Sequence, residues 1–206
     1  MVGTKRYYEV VHDLVKDVAE IFDTPRFMHI GYDEETAGNQ RNFDMTVVRQ
    51  GELWWHDLLD LVGAVEKNGM RAWMWSDYAW DHPDFVGRCP KSVLQSNWDY
   101  DDCVFGYDLE HMPKGKWSSV LELYMKLDKA GYDQVPCGSN WVSRTRKQRN
   151  LGNDDNIAGI VGFCRSHVPA DRIAGYLMAT WEMTLKSGEE KLLKGIDLLA
   201  DALAKA

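Results

Sequence analysis

Two adjacent carboxylates, Asp33 and Glu34, follow a short apolar segment that begins at Phe27 and reaches a glycine at Gly31. Two carboxyl groups in one pocket repel each other, so one of them keeps its proton near neutral pH and can act as a general acid. Neighbouring strand residues point to opposite faces, so both reach one pocket only if the backbone leaves strand geometry, which Gly31 permits. The pattern predicts a paired-acid site at a strand end. An acidic loop before the next helix explains the same residues without any chemistry.

Four further strand-like segments end with a tryptophan beside a polar or acidic residue. The tryptophans in question are Trp75, Trp98, Trp141 and Trp181, and Glu182 follows the last of them directly. Indole faces stack on the apolar faces of sugar rings, while carboxylates and amides bind the hydroxyl groups. Each tryptophan taken singly is equally well explained as a core residue, but the four together favour a carbohydrate-binding pocket.

The elements that must position these residues alternate along the chain. Apolar residues at helical spacing predict helices over 5–22, 50–68, 117–130, 154–165 and 188–205. Between them, strand-like runs occupy 27–32, 71–76, 92–97, 134–138 and 173–180. Gly69 and Gly131 follow two helices as stop signals, and Ser187 with Glu190 predicts the N-cap of the last helix. This alternation predicts an α/β protein with a parallel sheet.

Two versions of that architecture remain open, a complete five-stranded doubly wound sheet and part of a (β/α)8 barrel. The strand starts recur about every 40 residues, so a closed eight-stranded barrel would need well over the 206 residues present. The barrel interpretation therefore requires that about three strands are missing. No linker or change of composition divides the chain, so residues 1–206 are predicted to form a single domain.

Composition and charge remove several classes of function. A net charge of -8 argues against binding to nucleic acid, and no apolar run is long enough to cross a membrane. The four cysteines show no metal-binding or redox spacing and are predicted to be free thiols, with disulfides as the less favoured alternative, namely Cys89, Cys103, Cys137 and Cys164. No nucleotide-binding, zinc-peptidase or serine-hydrolase motif occurs, so neither a cofactor nor a metal is predicted. The basic run Arg144, Arg146, Lys147 and Arg149 is predicted to be a solvated loop.

The segment from His29 to Glu34 resembles the strand motif His-x-Gly-Gly-Asp-Glu of glycoside hydrolase family 20, the β-N-acetylhexosaminidases and their relatives. The resemblance extends to the order of Trp75, Trp98 and Trp181 on later strands and covers roughly residues 5–206. It implies an α/β fold that is a partial (β/α)8 TIM barrel, strands four to eight with their helices. The acid pair would then lie on strand four.

The resemblance also implies a mechanism in which the 2-acetamido oxygen of the substrate attacks the anomeric carbon. Glu34 would act as general acid and then as general base, and Asp33 would orient the acetamido nitrogen. Trp75, Trp98 and Trp181 would wall the pocket. Three more residues are predicted to contact the substrate or support the acid pair: His29, Trp141 and Glu182. A core histidine with its hydrogen bonds satisfied explains His29 equally well.

The sequence departs from the family pattern at several positions. Tyr32 replaces the second glycine of the motif and puts bulk there. A stretch from Trp141 to Ser143 replaces a tyrosine and an aspartate, and Met183 replaces a glutamate, with Glu182 one position too early. The family's substrate-binding arginine belongs to the first barrel strand. Either the specificity differs, or the chain is a non-catalytic carbohydrate-binding relative or an inactive fragment.

A partial barrel would leave its first and last strands with unpaired backbone, and such edges tend to pair with another chain. The sequence therefore predicts self-association, or a missing N-terminal segment that completes the barrel. The compartment stays open, because relatives in the family are often exported or lysosomal and the N-terminus shows no signal-peptide pattern.

Overall fold

Helices and short strands alternate along the chain in the computed structural model, which describes residues 2–35, 49–100, 116–142, 147 and 152–205. The strands are β1 (Phe27–His29), β2 (Arg71–Trp75), β3 (Leu94–Ser96), β4 (Cys137–Ser139) and β5 (Leu177–Ala179). The helices are α1 (Lys5–Ile21), α2 (Glu52–Lys67), α3 (Tyr78–Asp81), α4 (Phe85–Arg88), α5 (Lys116–Lys129), α6 (Asn156–His167) and α7 (Lys186–Ala204), with a 3-10 turn at Ala170–Arg172. Every predicted helix and strand is present, and the two short helices α3 and α4 lie between β2 and β3.

All strands in the described part of the chain run parallel and follow one another in chain order. β2 lies between β1 and β3, and β4 pairs with β5. Parallel bridges from Gln95 to Gln134 and from Trp98 to Cys137 connect the β3 segment to the β4 segment. A doubly wound sheet reverses its strand order around the first strand. The described strands do not, so the doubly wound alternative is wrong, and the predicted α/β class with a parallel sheet is confirmed.

The core lies between the outer face of the sheet and the helices. On β2, Ala72 and Met74 are fully buried in one cluster with Leu58 and Val65 of α2. Met74, Leu58 and Val65 each contribute about 1.5–3 kcal/mol through burial, and the smaller Ala72 contributes less. The alternate residues of β2, among them Trp75, point to the opposite face, where the tryptophans described below gather.

Helix ends follow the sequence signals in most places. The Thr4 hydroxyl oxygen accepts a hydrogen bond of 3.3 Å from the Tyr7 amide at the start of α1. Gly69 and Gly131 adopt φ of +80° and +83° after α2 and α5, a conformation that glycine reaches without strain. The predicted cap at Ser187 is wrong. The helix begins one residue earlier at Lys186, the extended Leu185 precedes it without a side-chain cap, and Ser187 already lies in the first turn.

The two edge strands and the two terminal helices leave surface uncovered within the described part of the chain. Within the described residues, β1 pairs only with β2 and β5 only with β4. Leu14 and Ile21 of α1 are 57% and 74% exposed, and Leu193 and Ile196 of α7 are 53% and 49% exposed. Both terminal helices therefore present apolar side chains that the described part of the chain does not cover.

The thiols behave as the sequence predicted wherever they are described. Cys89, Cys137 and Cys164 are buried and free, while Cys103 lies outside the described residues. Burial raises the pKa of the Cys89 and Cys137 thiols to about 12, so both remain protonated at neutral pH.

No described helix is long and apolar enough to cross a membrane. No cluster of three or more metal-binding side chains occurs among the described residues.

Candidate active site

The acid pair follows β1 on a segment whose backbone leaves strand geometry. Gly31, Tyr32 and Glu34 have φ of +80°, +77° and +50°. This breaks the alternation that would send Asp33 and Glu34 to opposite faces. Both carboxylate residues are exposed and line the same pocket. Asp33 and Glu34 therefore reach one pocket from the segment that follows β1.

Tyr32, which stands at the second glycine of the motif, turns away from that pocket. Its ring is 4% exposed and packs edge-on against Trp54 at 5.4 Å between centroids. Its hydroxyl donates a hydrogen bond of 2.7 Å to Asp57 on α2. The bulk that the sequence places in the motif therefore fills the core behind the acid pair and leaves the pocket open.

Five aromatic side chains wall a pocket of about 270 Å³ beside the acid pair: Trp75, Trp98, Tyr100, Trp141 and Trp181. Trp75 ends β2, and Trp98 and Tyr100 follow β3. The Trp181 ring lies 6.1 Å from Trp75 and 6.2 Å from Tyr100 between centroids. The four predicted tryptophans thus converge, as expected if their strands end at one edge of the sheet.

Tyr100 is a pocket residue that the sequence interpretation missed. Its ring stacks on Trp98 at 4.9 Å, and only 9% of the residue is exposed. Trp98 follows β3 and Tyr100 lies two residues further on, so the continued alternation of aromatics is the signal that could have identified it.

Asp77 also belongs to the site, although it was not selected as a site residue. One of its carboxylate oxygens accepts a 2.8 Å hydrogen bond from the Glu34 amide, and the other accepts a 3.4 Å bond from the Trp98 indole. Burial is the main cause that raises the pKa of Asp77 to about 6, and the nearby Asp33 carboxylate adds to it. Its position two residues after Trp75 was the available sequence signal.

His29 lies below the pocket and does not line it. Its ring contacts the rings of Trp73 and Trp75, each at 4.8 Å between centroids, and its Nδ1 accepts a 3.1 Å hydrogen bond from the Gly31 amide. Burial lowers the pKa of the imidazole, while the Asp33 carboxylate opposes that shift. The histidine supports the turn that carries the acid pair.

Glu182 was predicted to bind substrate, but its side chain is exposed and pairs with Lys191 of α7, and the residue does not line the pocket. The adjacent Trp181 has φ of +49° and points into the pocket. The side chains of Trp181 and Glu182 therefore point in different directions, the first into the pocket and the second towards α7. Ser143 and the basic residues of 144–149, apart from Lys147, lie outside the described residues.

Glu35, the residue directly after the acid pair, forms an ion pair with Arg49. Arg49 also pairs with Asp57. Burial raises the pKa of Glu35 to about 7 despite the opposing charge of Arg49. The site therefore combines exposed carboxylates, two acids with raised pKa values and an aromatic pocket. That combination can bind a sugar ring and move a proton to or from it.

Comparisons with known proteins bear on the fold. No protein-family model matches the sequence, and no curated protein matches it significantly. The chain is similar in structure to a family 20 exo-β-N-acetylglucosaminidase from Vibrio harveyi, solved in complex with N-acetylglucosamine, with a TM-score of 0.56 at 14% identity. That match covers 95% of this chain and 30% of the other, so the chain spans about a third of the enzyme's length.

Two weaker similarities accompany it. An endo-β-1,4-glucanase from Xanthomonas axonopodis pv. citri gives a TM-score of 0.49 at 10% identity, covering 94% of this chain and 66% of that one. A Flavobacterium johnsoniae chitobiase gives 0.41 at 13% identity, covering 97% and 33%. At these identities the Vibrio harveyi match shows the fold alone, a parallel α/β architecture like that of barrel glycoside hydrolases.

Proposed function

We propose that the chain belongs to a glycosidase of the family 20 type and supplies strands four to eight of its (β/α)8 barrel, with residues 1–206 as one domain. The parallel strands in chain order support this assignment. So does the similarity to the Vibrio harveyi enzyme over 95% of this chain. The proposed substrates are terminal β-linked N-acetylhexosamines or related amino sugars.

One observation carries the proposal: the acid pair and the aromatic residues of four strand ends line the same pocket. Asp33 and Glu34 follow β1, and the aromatic walls follow β2 to β5. Active sites of barrel enzymes lie at this carboxyl edge of the strands. A hexopyranose stacked on an indole would present its glycosidic oxygen to a carboxyl group there.

In the proposed reaction, Glu34 donates its proton to the glycosidic oxygen while the 2-acetamido oxygen attacks the anomeric carbon. The bond to the aglycone breaks, and a cyclic oxazolinium forms within the sugar. Asp33 stabilises the positive charge that develops on the acetamido nitrogen. Glu34, now ionised, takes a proton from water as the water attacks the anomeric carbon, which restores the acetamido group with retained configuration.

The two open edges of the arc bear on how the site would be completed. β1 and β5 each have one unpaired side within the described residues, and α1 and α7 expose apolar side chains. Parallel sheets in barrels are covered on every side. We therefore propose that further β/α units, from a second copy or from an additional N-terminal segment, cover these edges.

The test is release of nitrophenol from a nitrophenyl β-N-acetylglucosaminide by the purified chain and its Glu34→Gln variant. Loss of the general acid and base should lower kcat by about 10²–10⁴-fold. Glu189→Gln, an exposed change in the first turn of α7, is the matched control and should keep full activity.

Binding of N-acetylglucosamine, measured in parallel by calorimetry, separates the alternatives. An enzyme keeps its affinity in the Glu34→Gln variant while turnover disappears. Sugar binding without turnover in either protein would contradict the hydrolase assignment and support a carbohydrate-binding relative. Neither binding nor turnover would reject the amino-sugar assignment for this chain.

A further inference from the structure

Asp77 lies two residues after the end of β2, next to a serine that is hydrogen-bonded to the neighbouring strand. The preceding residue, Ser76, donates its amide to the Ser96 carbonyl at 2.9 Å and its hydroxyl to the Gln95 side chain at 3.0 Å. Ser76, Gln95 and Ser96 are all fully buried. The sheet therefore fixes the backbone from which the Asp77 carboxylate extends.

The common role for an aspartate in this position would be a helix cap. Asp77 directly precedes the short helix α3, but its φ and ψ of -63° and -23° are helical and its side chain makes no capping hydrogen bond. Caps normally have extended backbone angles and accept a bond from the first turn. The carboxylate is used elsewhere, so capping does not account for it.

The carboxylate instead joins the ends of three strands. From its place after β2 it accepts the Glu34 amide of the turn after β1 at 2.8 Å and the Trp98 indole after β3 at 3.4 Å. Glu34 has φ of +50°, a conformation that a residue with a Cβ adopts only when surrounding contacts hold it. The bond to Asp77 is such a contact.

We propose that Asp77 is a positioning residue that holds the Glu34 backbone and the Trp98 ring in a fixed relation to each other. The inference rests on the proposed function only for its effect on turnover. Its structural content, one carboxylate that orients an acid and an aromatic wall, stands whether or not the chain hydrolyses a glycoside.

Protonation should weaken this arrangement. Both partners of Asp77 are N–H donors. A proton on either carboxylate oxygen turns that oxygen into a donor group facing an N–H, so the hydrogen bond to that N–H is weakened. The charged groups around Asp77 are Asp33 and Glu34 on the same turn, and Glu35 with its partner Arg49. Burial and Asp33 raise the pKa of Asp77 to about 6, so the change falls within an accessible range of pH.

The deciding measurement is a proton–nitrogen NMR spectrum of the Trp98 indole and the Glu34 amide between pH 4 and pH 8. In the wild-type chain the indole resonance should titrate, and both protons should lie downfield because they bind a carboxylate. In Asp77→Asn both should move upfield, and the indole resonance should titrate over a much smaller range than in the wild-type chain. Asp81→Asn, which removes an exposed acid from the same segment, is the matched control and should change neither signal.

Kinetics supply the second arm. If the wild-type chain is active, Asp77→Asn should lower kcat by about tenfold to a hundredfold through misplacement of Glu34, and it should alter the acid limb of the pH profile. Unchanged resonances in Asp77→Asn, or shifted resonances with unchanged kcat in an active chain, would overturn the proposal. An inactive wild-type chain would contradict hydrolysis by this chain alone, while the NMR arm would still decide the role of Asp77.

Discussion

The hydroxyl of Tyr32 donates a hydrogen bond of 2.7 Å to Asp57, a carboxylate that is only 1% exposed on α2. Arg49 pairs with the same carboxylate oxygen, and its guanidinium lies 4.5 Å above the Tyr32 ring centroid. The turn that carries the acid pair is therefore anchored to a helix of the outer layer. A tyrosine in place of the motif's second glycine thus changes how the acid pair is supported and does not obstruct the pocket.

Replacing Tyr32 by Phe tests this anchor. The ring still packs on Trp54, but the Asp57 carboxylate no longer accepts a hydrogen bond from the Tyr32 hydroxyl. Because a bond to a charged acceptor is lost, the free energy of unfolding should fall by about 1.5–3 kcal/mol. Urea unfolding at neutral pH measures the change. Tyr124→Phe, which removes a 3.2 Å bond to the neutral Asn97 carbonyl, is the matched control and should cost about 1 kcal/mol. Wild-type stability in Tyr32→Phe would show that the anchor contributes nothing.

The pH dependence of stability tests the buried imidazole of His29. The Gly31 amide donates to its Nδ1, which therefore carries no proton, and burial lowers its pKa from the ordinary 6.5. The unfolded chain thus binds a proton on this group more readily than the folded chain. The contribution of His29 is fully present above about pH 6.5 and is lost as the pH falls through the folded pKa.

The wild-type chain should therefore lose stability between pH 7.5 and pH 5 more steeply than His29→Asn. Urea unfolding across this range gives both slopes. Equal slopes in wild type and His29→Asn would be evidence against the assigned shift.

Much of this architecture could be predicted from local sequence. The apolar periodicity of α1 and α2 and the glycines at 69 and 131 give the helix bounds to within two residues. The convergence of Trp75 and Trp98 follows from parallel strands, whose carboxyl ends meet at one edge. The helix ends and the strand ends depend on residue spacing over a few positions, which the sequence shows directly.

The remaining features depend on partners far apart in the chain. Tyr32 meets Asp57 across 25 positions, and Glu34 meets Asp77 across 43. Glu182 was assigned to the pocket because it adjoins Trp181, yet it pairs with Lys191. A residue with a positive φ changes the direction in which the side chains next to it point. The residue types at Tyr32, Glu34 and Trp181 do not predict their positive φ angles.

Trp181 offers a test of the aromatic pocket that spares the fold. The residue is 51% exposed, so Trp181→Ala should lower the free energy of unfolding by about 1–2 kcal/mol, less than the 3–5 kcal/mol typical of a fully buried tryptophan. Loss of one stacking face should weaken binding of N-acetylglucosamine by about threefold to tenfold. Calorimetric titration measures the affinity. Leu193→Ala, at an equally exposed apolar position on α7, should leave the affinity unchanged. Unaltered binding in Trp181→Ala would remove this residue from the proposed site.

The open edges of the arc predict that the 206-residue chain associates with itself. Unpaired strand backbone and exposed apolar helix faces are both favourable surfaces for a second copy. Sedimentation velocity at increasing protein concentration should therefore show dimers or larger species. Ile196→Glu places a charge in the exposed apolar face of α7 and should shift the distribution towards monomer.

Ser187→Glu adds the same charge at an exposed position in the first turn of α7 and should leave association unchanged. This comparison separates a specific apolar contact from general repulsion between chains that already carry a net charge of -8. Because the edges exist only if β1 and β5 lack outer partners, a folded wild-type chain that sediments as a single monomer at all concentrations would contradict self-association. An added N-terminal segment would then remain as the proposed cover for the two edges.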